Sequence, residues 1–307
     1  MPPTAQYTIW KGPNGIRAGW RLLIFFALLA PMLWGSGLLA DAIVRRFSLT
    51  TETPAGGLAA YGLFLLPLMI ATWIMSRIEG RTFADYGLPW RRAFCSQFWQ
   101  GAAFSFASLS LLMLVLRLLG GYYYGSLALH GLDIWKYALL WTAPIFSAAL
   151  LEDFLYRGYV LFTLSTGVGF WPAAVVTSLL MGGLHYFNPG GHGLGPVAAT
   201  EYCLVTALVL RRTGDLWMPL GIHAAWGWGE LYFYGIQGSG FPSQGHLLNS
   251  SLPGPVLLTG GTFGPEASWL SLILLFLWGL VFATWLRRTK REKEYPNPKA
   301  VPDPRRK

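Results

Sequence analysis

The sequence has few charged residues and almost no cysteine. Asp, Glu, Lys and Arg make up 12% of its 307 residues, against about 25% in soluble globular proteins. Its two cysteines, Cys95 and Cys203, show no CxxC or other metal-type spacing, which excludes a framework of disulfide bridges and a cysteine-based zinc site. The sequence also has no HExxH motif, so it has no local zinc-protease signature. What it has instead is 53% hydrophobic residues, and this composition predicts a polytopic membrane protein.

Eight segments are long and apolar enough to be considered membrane-spanning helices, which need about 20 mostly apolar residues. They lie at 19–44, 56–76, 99–119, 134–163, 170–187, 195–211, 215–235 and 266–286. We therefore predict an all-α polytopic membrane protein with about eight transmembrane helices, forming a single integral membrane domain over residues 1–286.

The basic residues predict how the helices are oriented. Residues 287–307 carry nine Lys and Arg against three Asp and Glu, most of the net charge of +9. The loops at 120–133, 188–194 and 236–265 contain no Lys or Arg, and they fall on the opposite side if the helices alternate. Basic loops stay in the cytoplasm, so we predict that both termini are cytoplasmic. Arg45 and Arg46 are the exception.

The basic tail at 287–307 follows directly after a helix, which indicates a topology signal that also contacts anionic lipid, with no nucleic acid as partner. Its Pro-rich, charged composition predicts disorder. The low cysteine count and the simple topology favour a prokaryotic inner membrane.

The stretch LEDFLYRGYV, residues 151–160, places three charged residues inside an apolar helix. Each charge at the centre of a membrane helix costs roughly 2.5–3.5 kcal/mol. Asp153 and Arg157 are four residues apart, so they lie on one helix face and can form an ion pair. Glu152 points about 100° away and has no cation at the i+3 or i+4 position. The spacing therefore indicates one acid for structure and one, Glu152, that is available to take a proton.

Two histidines on other helices, His185 and His223, are candidate partners for Glu152. A histidine can hold a water molecule, donate to an oxyanion or bind a metal. One Glu and two His also form a known zinc ligand set, and the sequence leaves that choice open. Each histidine alone is equally well explained as a hydrogen-bond link between helices. Buried carboxylates and histidines are also typical of transporters and proton relays, so a transporter or proton relay is a second interpretation of the same residues.

Taken in order, three motifs resemble those of a known family. EDFLYR, MGGLH and HAAWG, with YRGYV and LWMPLGIHAAW around them, resemble the EExxxR, FxxxH and HxxxN/D motifs of the CPBP family. This family comprises the CAAX proteases and bacteriocin-processing proteins, also called Abi proteins, and includes the type II CAAX prenyl endopeptidases. The resemblance covers about 134–235, roughly a third of the chain.

The resemblance implies an intramembrane endopeptidase that hydrolyses a peptide bond in a membrane-embedded or membrane-associated protein or peptide. By its motifs, Glu152 and His185 activate water, and His223 stabilises the oxyanion. Asp153 and Arg157 support the site within a polar cavity among the fourth, fifth and seventh predicted helices. Whether the family uses zinc or a metal-free glutamate is open. If a metal is present, Glu152, His185 and His223 are its implied ligands.

Three positions depart from the family motifs. Asp153 replaces the second Glu, Met181 replaces the Phe, and Gly227 replaces the Asn or Asp that follows the third-motif histidine. The last change matters most, because losing one oxyanion donor costs roughly 10²–10³ in rate. A catalytically inactive binding or immunity protein of the same family is therefore the main alternative. Three side chains are candidate replacements for the missing donor: Trp226, Trp228 and Asn188.

Overall fold

The computed structural model describes residues 8–12 and 15–288, and within them the regular elements are helices and one short hairpin that pairs Lys11–Gly12 with Gly15–Ile16. The helices are α1 (Ala18–Phe47), α2 (Pro54–Glu79), α3 (Ser96–Leu118), α4 (Leu132–Asp153), α5 (Leu161–Val168), α6 (Phe170–His185), α7 (Gly195–Thr213), α8 (Trp217–Trp228), α9 (Val256–Thr259) and α10 (Trp269–Arg288). Two π-helical segments, Phe154–Val160 and Gly229–Phe233, continue α4 into α5 and extend α8. Two 3₁₀ turns lie at Trp90–Arg92 and Pro265–Ala267.

Among the described residues, four helices are long and apolar enough to cross a membrane: Ala18–Phe47, Pro54–Glu79, Ser96–Leu118 and the continuous Leu132–Val168. These helices indicate an integral membrane protein, as the composition predicted. The other predicted spans are shorter or less apolar. Helix α8 and the π segment that extends it, 12 and 5 residues long, together rise roughly 25 Å at 1.5 Å per residue, against a hydrocarbon core of about 30 Å.

The count of eight spans therefore stays a prediction, as do the single-domain boundary and the orientation of the termini. The tail was predicted to be disordered from residue 287, but Arg287 and Arg288 still belong to α10; residues 289–307 lie outside the described part of the chain.

Local sequence signals explain where α2 begins and ends. Thr53 caps its start, accepting a hydrogen bond from the backbone N–H of Gly56, and Pro54 occupies the first turn, where a missing N–H costs nothing. Gly80 ends the helix with φ of 64°, a left-handed conformation that glycine adopts without strain.

Close packing of α3 against α8 fixes the position of the helix that carries His223. A Cβ at Gly101 would lie 2.3 Å from the carbonyl oxygen of Met218, and one at Gly221 would lie 2.0 Å from that of Phe98. Only glycine allows the two backbones to approach this closely, as small residues do between membrane helices.

Candidate active site

The buried centre of the site is the carboxylate of Asp153, at the end of α4. Its Oδ1 contacts the guanidinium of Arg157 and accepts a hydrogen bond from Nδ1 of His223 on α8 at 3.0 Å. The side chains of Asp153 and Arg157 are both 0% exposed. The ion pair predicted from their spacing is thus present. Its second contact, to His223, joins residues 70 positions apart and could not be predicted from spacing.

Arg157 is held from two further sides. The ring of Tyr202, on α7, lies 5.2 Å from its guanidinium carbon, a distance at which cation–π attraction operates. The sulfur of Met181 accepts from its Nη1 at 3.7 Å. Tyr202 also packs edge-on against His223, with ring centroids 5.5 Å apart. The sequence reading missed Tyr202, because one more aromatic residue in an apolar helix carries no distinguishing signal.

The site motif also lies at a change of helix type. Glu152 and Asp153 end α4, and the π-helical segment Phe154–Val160 begins immediately after them. Such π-bulges are frequent at functional sites, where they redirect side chains out of the regular helical register. A second π segment, Gly229–Phe233, directly follows α8, so both helices that meet at Asp153 change register beside the site.

Glu152 points away from this pair, as the helical spacing predicted. Its side chain is 30% exposed, and its Oε2 lies 3.9 Å from Nε2 of His223. That separation is too long for a direct hydrogen bond and suits a bridging water molecule. Glu152 is therefore a carboxylate open to a cavity, whereas Asp153 is enclosed.

The two histidines present the same ring nitrogen to the cavity. Nδ1 of His185 lies 2.8 Å from the carbonyl oxygen of Met181, four residues earlier. A carbonyl can only accept, so this nitrogen carries the proton, and the same holds for Nδ1 of His223 beside Asp153. When either ring is neutral, its Nε2 carries no proton and is therefore a hydrogen-bond acceptor.

The cavity has two lobes, of about 70 Å³ and about 110 Å³. Six residues line both lobes: Glu152, His185, His223, Trp226, Ser239 and Glu266. The predicted cavity among the fourth, fifth and seventh helices thus corresponds to walls from α4, α6 and α8. The structure adds α7 and the segment from Ser239 to Glu266 to those walls.

Glu266 is a cavity residue that the sequence reading did not identify. It was expected to open the last helix, but it lies in the 3₁₀ turn Pro265–Ala267, before α10 begins at Trp269. Its Oε2 accepts from the backbone N–H of Ser239 at 3.1 Å and from the Ser239 hydroxyl at 2.6 Å. The sequence offers one signal for this role: Glu266 directly follows a segment, 236–265, that contains no Asp, Glu, Lys or Arg.

Gly227 lines the larger lobe, where the family motif has Asn or Asp. A Cβ there would lie 3.3 Å from Cγ2 of Ile145, so any side chain requires Ile145 to shift slightly. Of the three candidate replacement donors, Trp226 and Asn188 line the cavity, and Asn188 donates to the carbonyl of Ser239. Trp228 donates its indole N–H to a backbone carbonyl of α4 instead.

The implied zinc ligands are not arranged around one point. Ligand atoms that share a tetrahedral zinc stand roughly 3.3 Å apart, given metal–ligand distances of about 2.0–2.1 Å, and Oε2 of Glu152 and Nε2 of His223 are 3.9 Å apart. Within residues 8–12 and 15–288, no group of three His, Cys, Asp or Glu side chains is placed to hold a metal ion.

Comparison with known proteins supports the family resemblance over the part of the chain that carries the site. Residues 134–229 match the family model described as type II CAAX prenyl endopeptidase Rce1-like. The matched segment contains all three motifs and ends one residue before Glu230. No curated protein and no solved structure matches the chain.

Proposed function

We propose that this chain is an intramembrane endopeptidase with Glu152 as its general base, on the strength of the match between residues 134–229 and the Rce1-like family model. The observation that carries the proposal is the division between the two neighbouring acids. Asp153 is enclosed and paired with Arg157, whereas Glu152 faces a cavity shared with both motif histidines. The substrate is a membrane-embedded or membrane-associated protein or peptide, because the cavity lies among apolar helices.

Hydrolysis then proceeds in two steps, the addition of water to the carbonyl carbon and the departure of the amine. Glu152 takes a proton from a water molecule, and the hydroxide oxygen bonds to the carbonyl carbon of the scissile peptide. The carbonyl oxygen becomes an oxyanion stabilised by hydrogen-bond donors. As the carbon–nitrogen bond breaks, Glu152 returns the proton to the leaving amine.

His223 can serve the oxyanion only in a particular protonation state. Its Nδ1 proton is committed to Asp153, so the neutral ring offers only an acceptor at Nε2. The ring donates to the oxyanion once it carries a second proton, and the Asp153 carboxylate stabilises that imidazolium, as the buried acid does in a serine protease triad. His185, with Nδ1 bound to a backbone carbonyl, assists in holding the water molecule.

A non-catalytic binding or immunity protein is the second candidate, and Gly227 is the observation that favours it. The larger lobe lacks the side-chain donor that the motif supplies at this position. Trp226 or Asn188, which line the same lobe, are the donors present there. The transporter alternative has no specific observation in its favour.

Peptide cleavage by purified protein tests the proposal. Wild type, Glu152→Gln and Glu201→Gln are incubated in detergent with a mixed peptide library, without added metal, with zinc, and with a chelator, and the products are identified by mass spectrometry. Glu201 is a matched control, because it is a half-buried acid on α7 outside the lining of both lobes.

We expect cleavage by wild type and by the Glu201→Gln control, and loss of at least about 10² in rate for Glu152→Gln, the lower end of the range for a single general base. Equal cleavage by wild type and Glu152→Gln would contradict the assignment. Folded protein that cleaves nothing under any condition would favour the binding protein.

A further inference from the structure

A second pair of acids, Glu230 and Glu266, lies in the wall of the cavity, outside the segment that matches the family. Glu230 is 0% exposed, and neither of its carboxylate oxygens has a hydrogen-bond partner of normal geometry among the described residues. Its polar neighbours are the Glu266 carboxyl and the indole of Trp226. Buried acids are usually paired with a cation or with several donors, so a buried acid whose polar neighbours are a second acid and one indole requires an explanation.

Glu266 is the better exposed of the two and is held rigidly. Both donors of Ser239, its backbone N–H and its hydroxyl, bind the same oxygen, Oε2. A carboxylate positioned by a backbone donor is preorganised, because little side-chain freedom remains to be lost when a ligand binds. Gly238, the residue before Ser239, packs closely on Glu230, because a Cβ there would lie only 3.2 Å from its Oε2.

The lining of the cavity is acidic. Three carboxyl groups line it, those of Glu152, Glu230 and Glu266, and the described lining residues of both lobes include no Lys or Arg. The nearby guanidinium of Arg157 is already paired with Asp153. The neighbouring carboxyl groups of Glu230 and Glu266 can both be ionised in such surroundings only at a cost, and a cation supplied by a ligand would offset that cost.

We propose that Glu230 and Glu266 form a subsite for a basic side chain, Lys or Arg, of the peptide substrate. This inference rests on the proposed function and specifies its substrate class. The partner is an organic cation rather than a metal ion, because no group of three suitable ligands exists among the described residues. Apolar and aromatic walls beside Glu266, including Trp226 and Trp278, accommodate the aliphatic stem and favour the charged end of such a side chain.

The test measures binding separately from cleavage, in protein that carries Glu152→Gln. Two fluorescently labelled synthetic peptides of equal length and apolar sequence are compared, one with a central Lys and the other with norleucine. Affinities are measured by fluorescence anisotropy in detergent for this parent protein and after adding Glu266→Gln, Glu230→Gln or the control Glu201→Gln.

We expect the lysine peptide to bind the parent roughly 10–100-fold more tightly than the norleucine peptide, the range for hydrogen bonds to charged groups. Glu266→Gln or Glu230→Gln should bring the ratio of the affinities for the two peptides close to one, whereas Glu201→Gln should leave this ratio unchanged. Glu230→Gln provides a second variant if Glu266→Gln, which alters the contact to Ser239, does not fold.

Equal binding of the two peptides by the parent, including no measurable binding of either, would overturn the subsite. A lysine preference that survives both Glu266→Gln and Glu230→Gln would also overturn it. The two proposals fail separately. Cleavage of the mixed library without preference for basic residues would remove the subsite alone, whereas lysine-selective binding by a protein that cleaves nothing would remove the protease function alone.

Discussion

Replacing Asp153 with Asn should destabilise the folded protein strongly. The change removes the negative charge that neutralises Arg157 and keeps the side-chain volume nearly constant. Both side chains are 0% exposed, so the guanidinium would remain buried with only the Tyr202 ring and the Met181 sulfur beside it. Neither neighbour carries a charge that could replace the carboxylate.

The magnitude follows from the burial of the pair. Removing one partner of a buried ion pair costs about 3–5 kcal/mol, because the other charge is left uncompensated. Asn keeps one carbonyl oxygen that can still accept from Arg157, so we expect a loss near the lower end, about 3 kcal/mol. Arg157→Met should cost a similar amount, because it leaves the carboxylate of Asp153 without its cation.

The assay is equilibrium unfolding of purified protein in mixed micelles with increasing denaturing detergent. Asp41→Asn is the matched control, since Asp41 and Arg45 share the i,i+4 spacing at 3.7 Å but are 69% and 79% exposed. Exposed pairs of this kind contribute about 0.2–1 kcal/mol. The double variant Asp153→Asn/Arg157→Met completes a double-mutant cycle. Its loss in free energy of unfolding should be smaller than the sum of the losses for the two single variants by roughly 1–3 kcal/mol.

Two results would refute this reasoning. A loss for Asp153→Asn no larger than that for Asp41→Asn would show that burial adds nothing to the pair. Additive single changes would show that Asp153 and Arg157 act independently despite their contact.

Three further predictions concern packing, capping and the oxyanion site. Gly101→Val should cost at least about 1–3 kcal/mol in the same unfolding assay, because its Cβ collides with the carbonyl of Met218. Asp215→Ala should cost about 1 kcal/mol or more there, because Asp215 accepts from the first backbone N–H of α8 and pairs with a guanidinium. Gly227→Asn, combined with Ile145→Ala to remove the Cγ2 that the new side chain would crowd, should raise kcat for peptide cleavage at least about tenfold by restoring a donor; an unchanged or lower kcat from folded protein would count against that role.

The sequence was sufficient for those parts of the structure that depend on neighbours along the chain. Apolar runs located the helices, and the i,i+4 spacing predicted the pair of Asp153 and Arg157 and the separate direction of Glu152. The π-helical segment Phe154–Val160 was not predictable, because a shift in backbone hydrogen bonding leaves no periodic side-chain pattern. The predicted segment 215–235 contains the continuous helical run from Trp217 to Phe233, but the change of helix type at Gly229 was not predictable for the same reason.

Contacts between distant segments were the harder part of the site. The hydrogen bond from His223 to Asp153 depends on how α8 packs on α4, which glycines at the α3–α8 contact determine. Glu266 reaches the cavity only because Ser239, 27 residues earlier, binds it. The motif resemblance brought Glu152, His185 and His223 together as a set, but it gave no information on residues beyond the matched segment, where Glu230 and Glu266 lie.

Two departures from the family motifs, Asp153 and Gly227, both lie at the contact between α4 and α8, and both allow these two helices to pack closely. Asp153 on α4 is one methylene shorter than Glu, and its carboxylate reaches His223 on α8 at 3.0 Å. Gly227, one turn further along α8, has no side chain, and a Cβ there would already crowd Ile145 on α4. A longer acid at 153 and a side chain at 227 would both push the two helices apart. The absence of a donor at Gly227 is therefore coupled to the close approach that orients His223, so the site is better tested by changing Gly227 and Ile145 together than by restoring one residue alone.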